Sequence, residues 1–156
     1  MRIGVLADTH IPSNRDALPQ VIHDLFAGVA MILHAGDVVS ENVITELQAI
    51  APTYAVRGNM DYAFQAPAKR ILEVEGKRTG LIHIPPAPLT EEGIRSLVGD
   101  VDCLVHGHTH KPRIERVGSV LVFNPGAVTA GPWYHQNSVG ILEVGRKITA
   151  QVIPLP

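Results

Sequence analysis

Seven side chains of the types that bind divalent metals follow short apolar runs of this sequence. They are Asp8, His10, Asp37, Asn59, His83, His108 and His110. A mixture of carboxylate and imidazole ligands suits manganese, iron or zinc better than calcium or magnesium, which prefer shells made of oxygen alone. No cysteine is among the candidates, which argues against a structural zinc site. The residue types therefore indicate an open, catalytic metal centre.

The elements that must position these side chains alternate between strands and helices in the first part of the chain. Apolar runs at 2–7, 30–33 and 54–56 predict buried strands. Helical spacing over 16–26, and a second helix that begins after Ser40 as N-cap, predict the connections between them. In α/β proteins, small molecules and ions bind at the carboxyl ends of the parallel strands. The candidate residues lie at these ends of the predicted strands.

The later part of the chain predicts a mixed sheet. A hairpin over 70–74 and 78–83, a helix capped by Thr90 and a strand at 103–105 precede four antiparallel strands at 113–117, 120–123, 138–144 and 147–153. We find no internal repeat and no convincing linker, so residues 1–156 are expected to form a single domain. The pattern predicts an α/β (α+β) fold in which mixed sheets are sandwiched by helices.

The number and spacing of the candidates favour two ions over one. Asp8/His10 and His108/His110 each have an i, i+2 spacing, which places both members on the same side of an extended chain. Seven ligands exceed the four or so that one zinc-like ion takes from protein. Two cations about 3.5–4 Å apart can lower the pKa of a water between them toward about 7 and neutralise the charge that develops on phosphoryl oxygens.

Each candidate also has an ordinary explanation when it is taken alone. An aspartate after a strand is often a turn residue or an N-cap, and a single histidine is more often structural than a ligand. However, Gly36, Gly58 and Gly107 stand immediately before proposed ligands, as expected where backbone turns sharply or approaches an ion closely. The repeated coincidence of strand end, glycine and ligand favours the metal site.

Composition narrows the functional class. The chain has 13 Lys and Arg, 15 Asp and Glu and a formal net charge of -2, so it lacks the positive field that a large nucleic-acid interface requires. Cys103 is the only cysteine, which excludes an intramolecular disulfide, and no secretory apolar region precedes the first strand. No apolar stretch approaches the roughly 20 residues of a membrane span. We therefore expect a cytoplasmic protein with no membrane partner.

Motif order gives the sequence a resemblance. Asp8-Thr9-His10, Gly36-Asp37, Gly58-Asn59, His83 and Gly107-His108-Thr109-His110 reproduce the D-x-H, GD, GN, H and GHxH signature in order. The sequence thus resembles calcineurin-like metallophosphoesterases, and Asn124-Pro125-Gly126 after the GHxH motif is similar to their small phosphodiesterase branch. The resemblance implies a four-layer αββα sandwich. It also implies one metal held by Asp8, His10, Asp37 and His110, and a second held by Asn59, His83, His108 and the shared Asp37.

The same resemblance implies a reaction. A metal-bridging hydroxide would attack a small phosphodiester, or a monoester, with Asp37 and Asn59 as catalytic residues and Asn59 facing a phosphate oxygen. Manganese is the expected metal, with iron, zinc or nickel as alternatives, and a homo-oligomer stays open. The competing hypothesis is a non-catalytic scaffold of the same fold that binds protein partners, as a retromer subunit does. Nuclease action on long DNA is disfavoured by the lack of basic excess.

Departures from the family pattern concern the pocket. Met60 stands where many members have a histidine that helps the leaving group, and a thioether cannot donate a proton. Asp61 is then a candidate supporting acid or orienting group. His83 is followed by Ile84, where a glycine is common. His34 and His106 are expected to orient the ligand loops, and the stretch around Trp133 and His135 is a candidate flap.

Overall fold

The computed structural model describes residues 1–12, 17–131 and 136–156, which contain ten strands and three helices. The helices are α1 (Gln20–Leu25), α2 (Glu41–Gln48) and α3 (Glu91–Val98). The strands are β1 (Arg2–Leu6), β2 (Met31–His34), β3 (Thr53–Ala55), β4 (Lys69–Val74), β5 (Lys77–Ile82), β6 (Cys103–Val105), β7 (Arg113–Val117), β8 (Val120–Asn124), β9 (Ser138–Val144) and β10 (Ile148–Pro154).

The strands form two five-stranded sheets of mixed direction. Sheet A has the order β10-β9-β1-β2-β3, in which β1, β2 and β3 are parallel. Sheet B has the order β4-β5-β6-β8-β7, in which β5, β6 and β8 are parallel. The remaining pairs are antiparallel hairpins, together with the antiparallel pairing of β9 with β1. The predicted alternating units and the two predicted C-terminal hairpins are confirmed, but the hairpins lie in different sheets and β8 also pairs in parallel with β6.

Three hydrophobic cores separate four layers. Alternate residues of β1 point to opposite faces, so Ile3 and Val5 join the core between the sheets and Leu6 joins the core under α1 and α2. In sheet B, Cys103 and Val105 face the central core and Leu104 faces the core under α3. The arrangement is helices, sheet A, sheet B, helix, which confirms the four-layer αββα prediction.

Local sequence explains most of the boundaries. Ser40 and Thr90 cap α2 and α3 by accepting from the backbone N–H of Asn42 and Gly93. The turn between β4 and β5 consists of Glu75 and Gly76, both at positive φ, as a two-residue hairpin of type I′ requires.

The first helix is shorter than predicted. It begins at Gln20 after Pro19, whose missing N–H suits a helix start, whereas the predicted start at residue 16 lies outside the described residues. No helix within the described ranges is long and apolar enough to cross a membrane.

Candidate metal centre

The seven predicted ligands lie together where five strands end. Asp8 and His10 follow β1, Asp37 follows β2, Asn59 follows β3, His83 follows β5, and His108 and His110 follow β6. Their polar atoms form one continuous network with every link at 4.0 Å or less. The structure thus brings all seven together from loops of both sheets.

Asp8 is at the centre of one half of this cluster. Its Oδ1 atom lies 3.2 Å from His110 Nε2 and 3.7 Å from His10 Nε2, without hydrogen-bond geometry to either. Asp8 Oδ1 and His10 Nε2 are buried and have no hydrogen-bond partner among the described residues. Leaving a buried polar atom unpaired costs about 1–3 kcal/mol. Two such atoms facing one another suit a cation.

Asp37 links this half to the other. Its Oδ2 atom lies 3.5 Å from His10 Nε2 and 3.3 Å from His83 Nε2. Asn59 Oδ1 is 2.9 Å from His83 Nε2 and 3.1 Å from His108 Nδ1. One ligand atom each from Asp8, His10 and His110, and likewise from Asp8, Asp37 and His83, lie within 4.8 Å of one another. The donor set is carboxylate and imidazole, the chemistry expected for manganese, iron or zinc.

The backbone of these loops is not extended. Asp8, His10, Asp37, His108 and His110 all have positive φ, between 46° and 70°. The prediction that each i, i+2 pair lies on an extended chain is therefore wrong, although both members of each pair still reach the cluster. Non-glycine residues in this region cost about 1–3 kcal/mol each and concentrate at functional sites.

Two glycines are required because the loops approach one another closely. A Cβ at Gly58 would lie 2.8 Å from Asp37 Cγ and closer still to its Oδ1 and backbone nitrogen. A Cβ at Gly107 would lie 2.9 Å from both Ala7 Cβ and Asp8 Oδ2. Real Cβ contacts are essentially never below 3.0 Å. A larger residue at either position would displace a carboxylate of the cluster.

The buried pair Thr9 and His34 ties the first two ligand loops together. His34 Nδ1 accepts from the backbone N–H of Gly36 at 3.2 Å, so its proton lies on Nε2, which donates to Thr9 Oγ1 at 3.1 Å. Thr9 Oγ1 in turn donates to the carbonyl oxygen of Val38 at 3.1 Å. The pKa of His34 is lowered to about 3 by complete burial, so the imidazole stays neutral.

Other supports hold the remaining loops. Thr129 Oγ1 donates to the carbonyl of Thr9 at 3.0 Å, and His83 Nδ1 donates to the carbonyl of Ala35 at 2.7 Å. Asn124 Nδ2 donates to the carbonyl of Gly107 at 3.2 Å. Sequence reasoning missed the roles of Thr9 and Thr129. The available signal for Thr9 was its position between two ligands, with its side chain directed away from them.

Met60 contacts the cluster through its backbone and not through its side chain. Met60 donates its N–H to Asp37 Oδ1 at 2.8 Å, while its side chain is 41% exposed. Asp61 accepts from the N–H of Val39 and from the N–H of Gly58, each at 2.7 Å. Both carboxylate oxygens of Asp61 are thus engaged by backbone, which supports its orienting role over its role as an acid.

The charge of the cluster is set by its pairing. Burial raises the pKa of the Asp8 and Asp37 carboxyls, but adjacent histidines outweigh it, so both pKa values lie below the ordinary value. Burial lowers the pKa of His83, but Asp37 and Asp8 outweigh it and the pKa is raised. Contact with Asp8 raises the pKa of His110. The site therefore attracts positive charge, whether protons or metal ions.

Three histidines, His23, His106 and His135, are not candidate ligands. His106 Nδ1 contacts the carbonyl of Gly107 at 2.9 Å, and burial lowers its pKa to about 4. His23 Nε2 lies 2.8 Å from Glu46 Oε1, away from the cluster. The candidate flap around Trp133 and His135 lies outside the described residues.

Comparisons with known proteins agree with this geometry. The sequence profile of the calcineurin-like phosphoesterase superfamily domain matches residues 1–147. A probable metallophosphoesterase from Methanothermobacter thermautotrophicus is 39% identical over 98% of this chain and 92% of its own length. One from Methanocaldococcus jannaschii is 36% identical over 99% and 82%.

Solved structures extend the agreement to the fold. An archaeal phosphodiesterase matches with a TM-score of 0.79 and 28% identity, over 99% of this chain and 100% of that one. Vacuolar protein sorting 29 from Cryptosporidium parvum matches with a TM-score of 0.85 and 27% identity, over 99% and 91%. On the profile match and the archaeal relatives, this chain belongs to the calcineurin-like phosphoesterase superfamily.

Proposed function

We propose that the protein is a two-metal phosphodiesterase. The observation that carries the proposal is that Asp8 Oδ1 and His10 Nε2 are buried without a hydrogen-bond partner among the described residues, inside a cluster of seven metal-type side chains. Asp8, His10, Asp37 and His110 would hold one ion, and Asp37, Asn59, His83 and His108 the other. Manganese is the proposed metal, because the ligand set mixes oxygen and nitrogen. When bound, the two cations would activate water and neutralise charge on the phosphoryl oxygens.

The chain's own residues have distinct parts in this reaction. Asp37 would join the two halves of the site, and the Met60 N–H that it accepts fixes the orientation of its carboxylate. The Asn59 amide would donate to a phosphate oxygen through its nitrogen while its Oδ1 atom faces His83 and His108. The Ala35 carbonyl accepts from His83 Nδ1, which orients the ring so that Nε2 faces Asn59 and Asp37 in the cluster. Solvent would supply the proton to the leaving group, since Met60 has none to donate.

The preference for diesters rests on similarity. The archaeal protein of solved structure is described as a phosphodiesterase, and the match covers 99% of this chain. The scaffold alternative is supported by the likeness to vacuolar protein sorting 29. A scaffold has no physical need for five ligands in strained left-handed backbone or for unpartnered buried atoms, so the enzyme hypothesis accounts for more of the site.

The direct test is hydrolysis of bis-p-nitrophenyl phosphate by purified protein with excess Mn²⁺. We expect turnover that Asp37→Ala lowers by at least about a hundredfold, because it removes the carboxylate shared by both ions. Asp100→Ala is the matched control, since Asp100 is exposed and pairs only with Arg95 among the described residues. Absence of hydrolysis in the wild type, or equal activity in Asp37→Ala, would refute the proposal.

A further inference from the structure

A cavity of about 450 Å³ opens directly beside the metal cluster. It shares Asn59 and His83 with the cluster, and its floor and walls come from the β3 loop, the start of β4, the end of β5 and α3. Ile82, Ile84 and Leu97 make its lining predominantly apolar. Ile84 and Leu97 are 51% and 41% exposed, so both present apolar surface to whatever occupies the cavity.

The charged side chains that line this cavity are all basic. Arg57 and Lys69 line it, and no carboxylate does among the described residues. Within the same part of the chain, the Arg57 guanidinium has neither a hydrogen-bond nor an ion-pair partner, and Lys69 Nζ donates only to the carbonyl of Leu97, at 2.7 Å. Arg57 and Lys69 are thus two positively charged side chains that pair with no carboxylate and lie beside an apolar surface. Such a cavity suits a ligand that is anionic at one end and apolar at the other.

From this juxtaposition, we propose that the cavity is a specificity subsite for an aromatic group on the retained ester, the one that is not released, of a phosphodiester whose phosphorus sits at the cluster of candidate ligands. The inference rests on the proposed function and names its substrate class. Asn59 and His83 lie at the junction, so a phosphate there directs one ester group into the cavity. A ring enters flat against Leu97 and the isoleucines, and Arg57 with Lys69 attracts the anionic phosphate. Ile84, which directly follows His83, supplies part of this apolar lining.

The test compares two substrates with the same leaving group, bis-p-nitrophenyl phosphate and methyl p-nitrophenyl phosphate, with Mn²⁺ present. The ratio of their kcat/KM values measures the preference for a second aromatic ester group. We expect Leu97→Ser to lower this ratio by at least about fivefold through a higher KM for the diaryl ester. Ile114→Ser is the matched control, because Ile114 is 50% exposed on β7 and does not line the cavity. Intrinsic substrate reactivity cancels when variants are compared by this ratio.

The outcomes separate the two hypotheses. If both diesters are hydrolysed and Leu97→Ser keeps the wild-type ratio, the subsite is refuted and the proposed function stands. If neither diester is hydrolysed, the proposed function fails. Calorimetric titration with phenylphosphonate and methylphosphonate then tests whether the cavity binds an aromatic group. Tighter binding of the phenyl compound by at least about fivefold, lost in Leu97→Ser, supports the aromatic site. Equal binding of the two phosphonates overturns it.

Discussion

Replacing Gly58 by alanine adds one methyl group and should disable the proposed metal-binding cluster. The new Cβ would lie 2.8 Å from Asp37 Cγ, and nearer to Asp37 Oδ1 and to its backbone nitrogen. Retreat of Cγ to the 3.4 Å of an ordinary contact requires a displacement of about 0.6 Å, and the backbone nitrogen must move further. The obstacle includes backbone, which cannot rotate away as the end of a flexible side chain can.

The expected magnitude follows from this overlap. Overpacking costs about 1–3 kcal/mol, which for a domain of this size lowers the melting temperature by about 2–12 °C. The larger effect should fall on activity, because displacement of a catalytic group by about 1 Å can cost roughly a hundredfold in rate. Gly145→Ala is the matched control: no atom lies within 4 Å of its new Cβ, and Gly145 does not have positive φ.

The assay is thermal unfolding together with Mn²⁺ titration and hydrolysis of bis-p-nitrophenyl phosphate for both variants. We expect Gly58→Ala to remain folded, bind Mn²⁺ at least about tenfold more weakly and lose about 99% of its activity, while Gly145→Ala behaves as wild type. Full activity and unchanged Mn²⁺ affinity in Gly58→Ala would refute the argument that Gly58 is required by the approach of Asp37.

Two further predictions concern the buried histidines. Without metal, the free energy of unfolding should be greatest near pH 6.5. Below this pH, His34 and His106 bind protons only on unfolding, because their pKa values are lowered in the folded protein. The free energy of unfolding should then fall with decreasing pH by up to about 1.4 kcal/mol per pH unit for each histidine. Above pH 6.5, the free energy of unfolding should also fall, because the protons that folding stabilises on His83 and His110 are lost as pH rises through their raised pKa values. Excess Mn²⁺ should reverse this second decline. Urea unfolding from pH 4.5 to 8.5 measures the decline on both sides of the maximum. Thr9→Val should lower the free energy of unfolding by about 1–3 kcal/mol and weaken Mn²⁺ binding about tenfold or more, because the buried His34 N–H loses its acceptor; unchanged Mn²⁺ affinity in calorimetry would contradict this.

That the seven candidate ligands would lie together was predictable because each follows an apolar run. Such runs become strands whether or not the partner strand is known, and parallel strands deliver their carboxyl ends to one edge. Asp8, Asp37 and His83 could therefore be assigned to one site from order along the chain. The packing of helices against the sheets followed from the alternation of apolar runs with helical segments, such as the one capped by Ser40, whereas the number of layers came from the family resemblance.

Other features depend on which loops meet in space. The left-handed backbone at Asp8 and His108 leaves no trace in the i, i+2 spacing, which is the same in an extended chain. The bond from His34 to Thr9 requires that β1 and β2 be neighbours, which the sequence does not state. The cavity lined by Leu97 forms because α3 packs beside the start of β4 and the end of β5. Long-range proximity is thus the part that composition and periodicity could not supply.

The central claim is that two cations share Asp37 between the halves of one cluster. Anomalous X-ray diffraction from crystals grown with Mn²⁺ tests it most directly. The account predicts two anomalous peaks about 3.5–4 Å apart, one beside Asp8, His10 and His110 and one beside His83 and His108, with the Asp37 carboxylate between them. A single peak, or none under Mn²⁺-replete conditions, would contradict it.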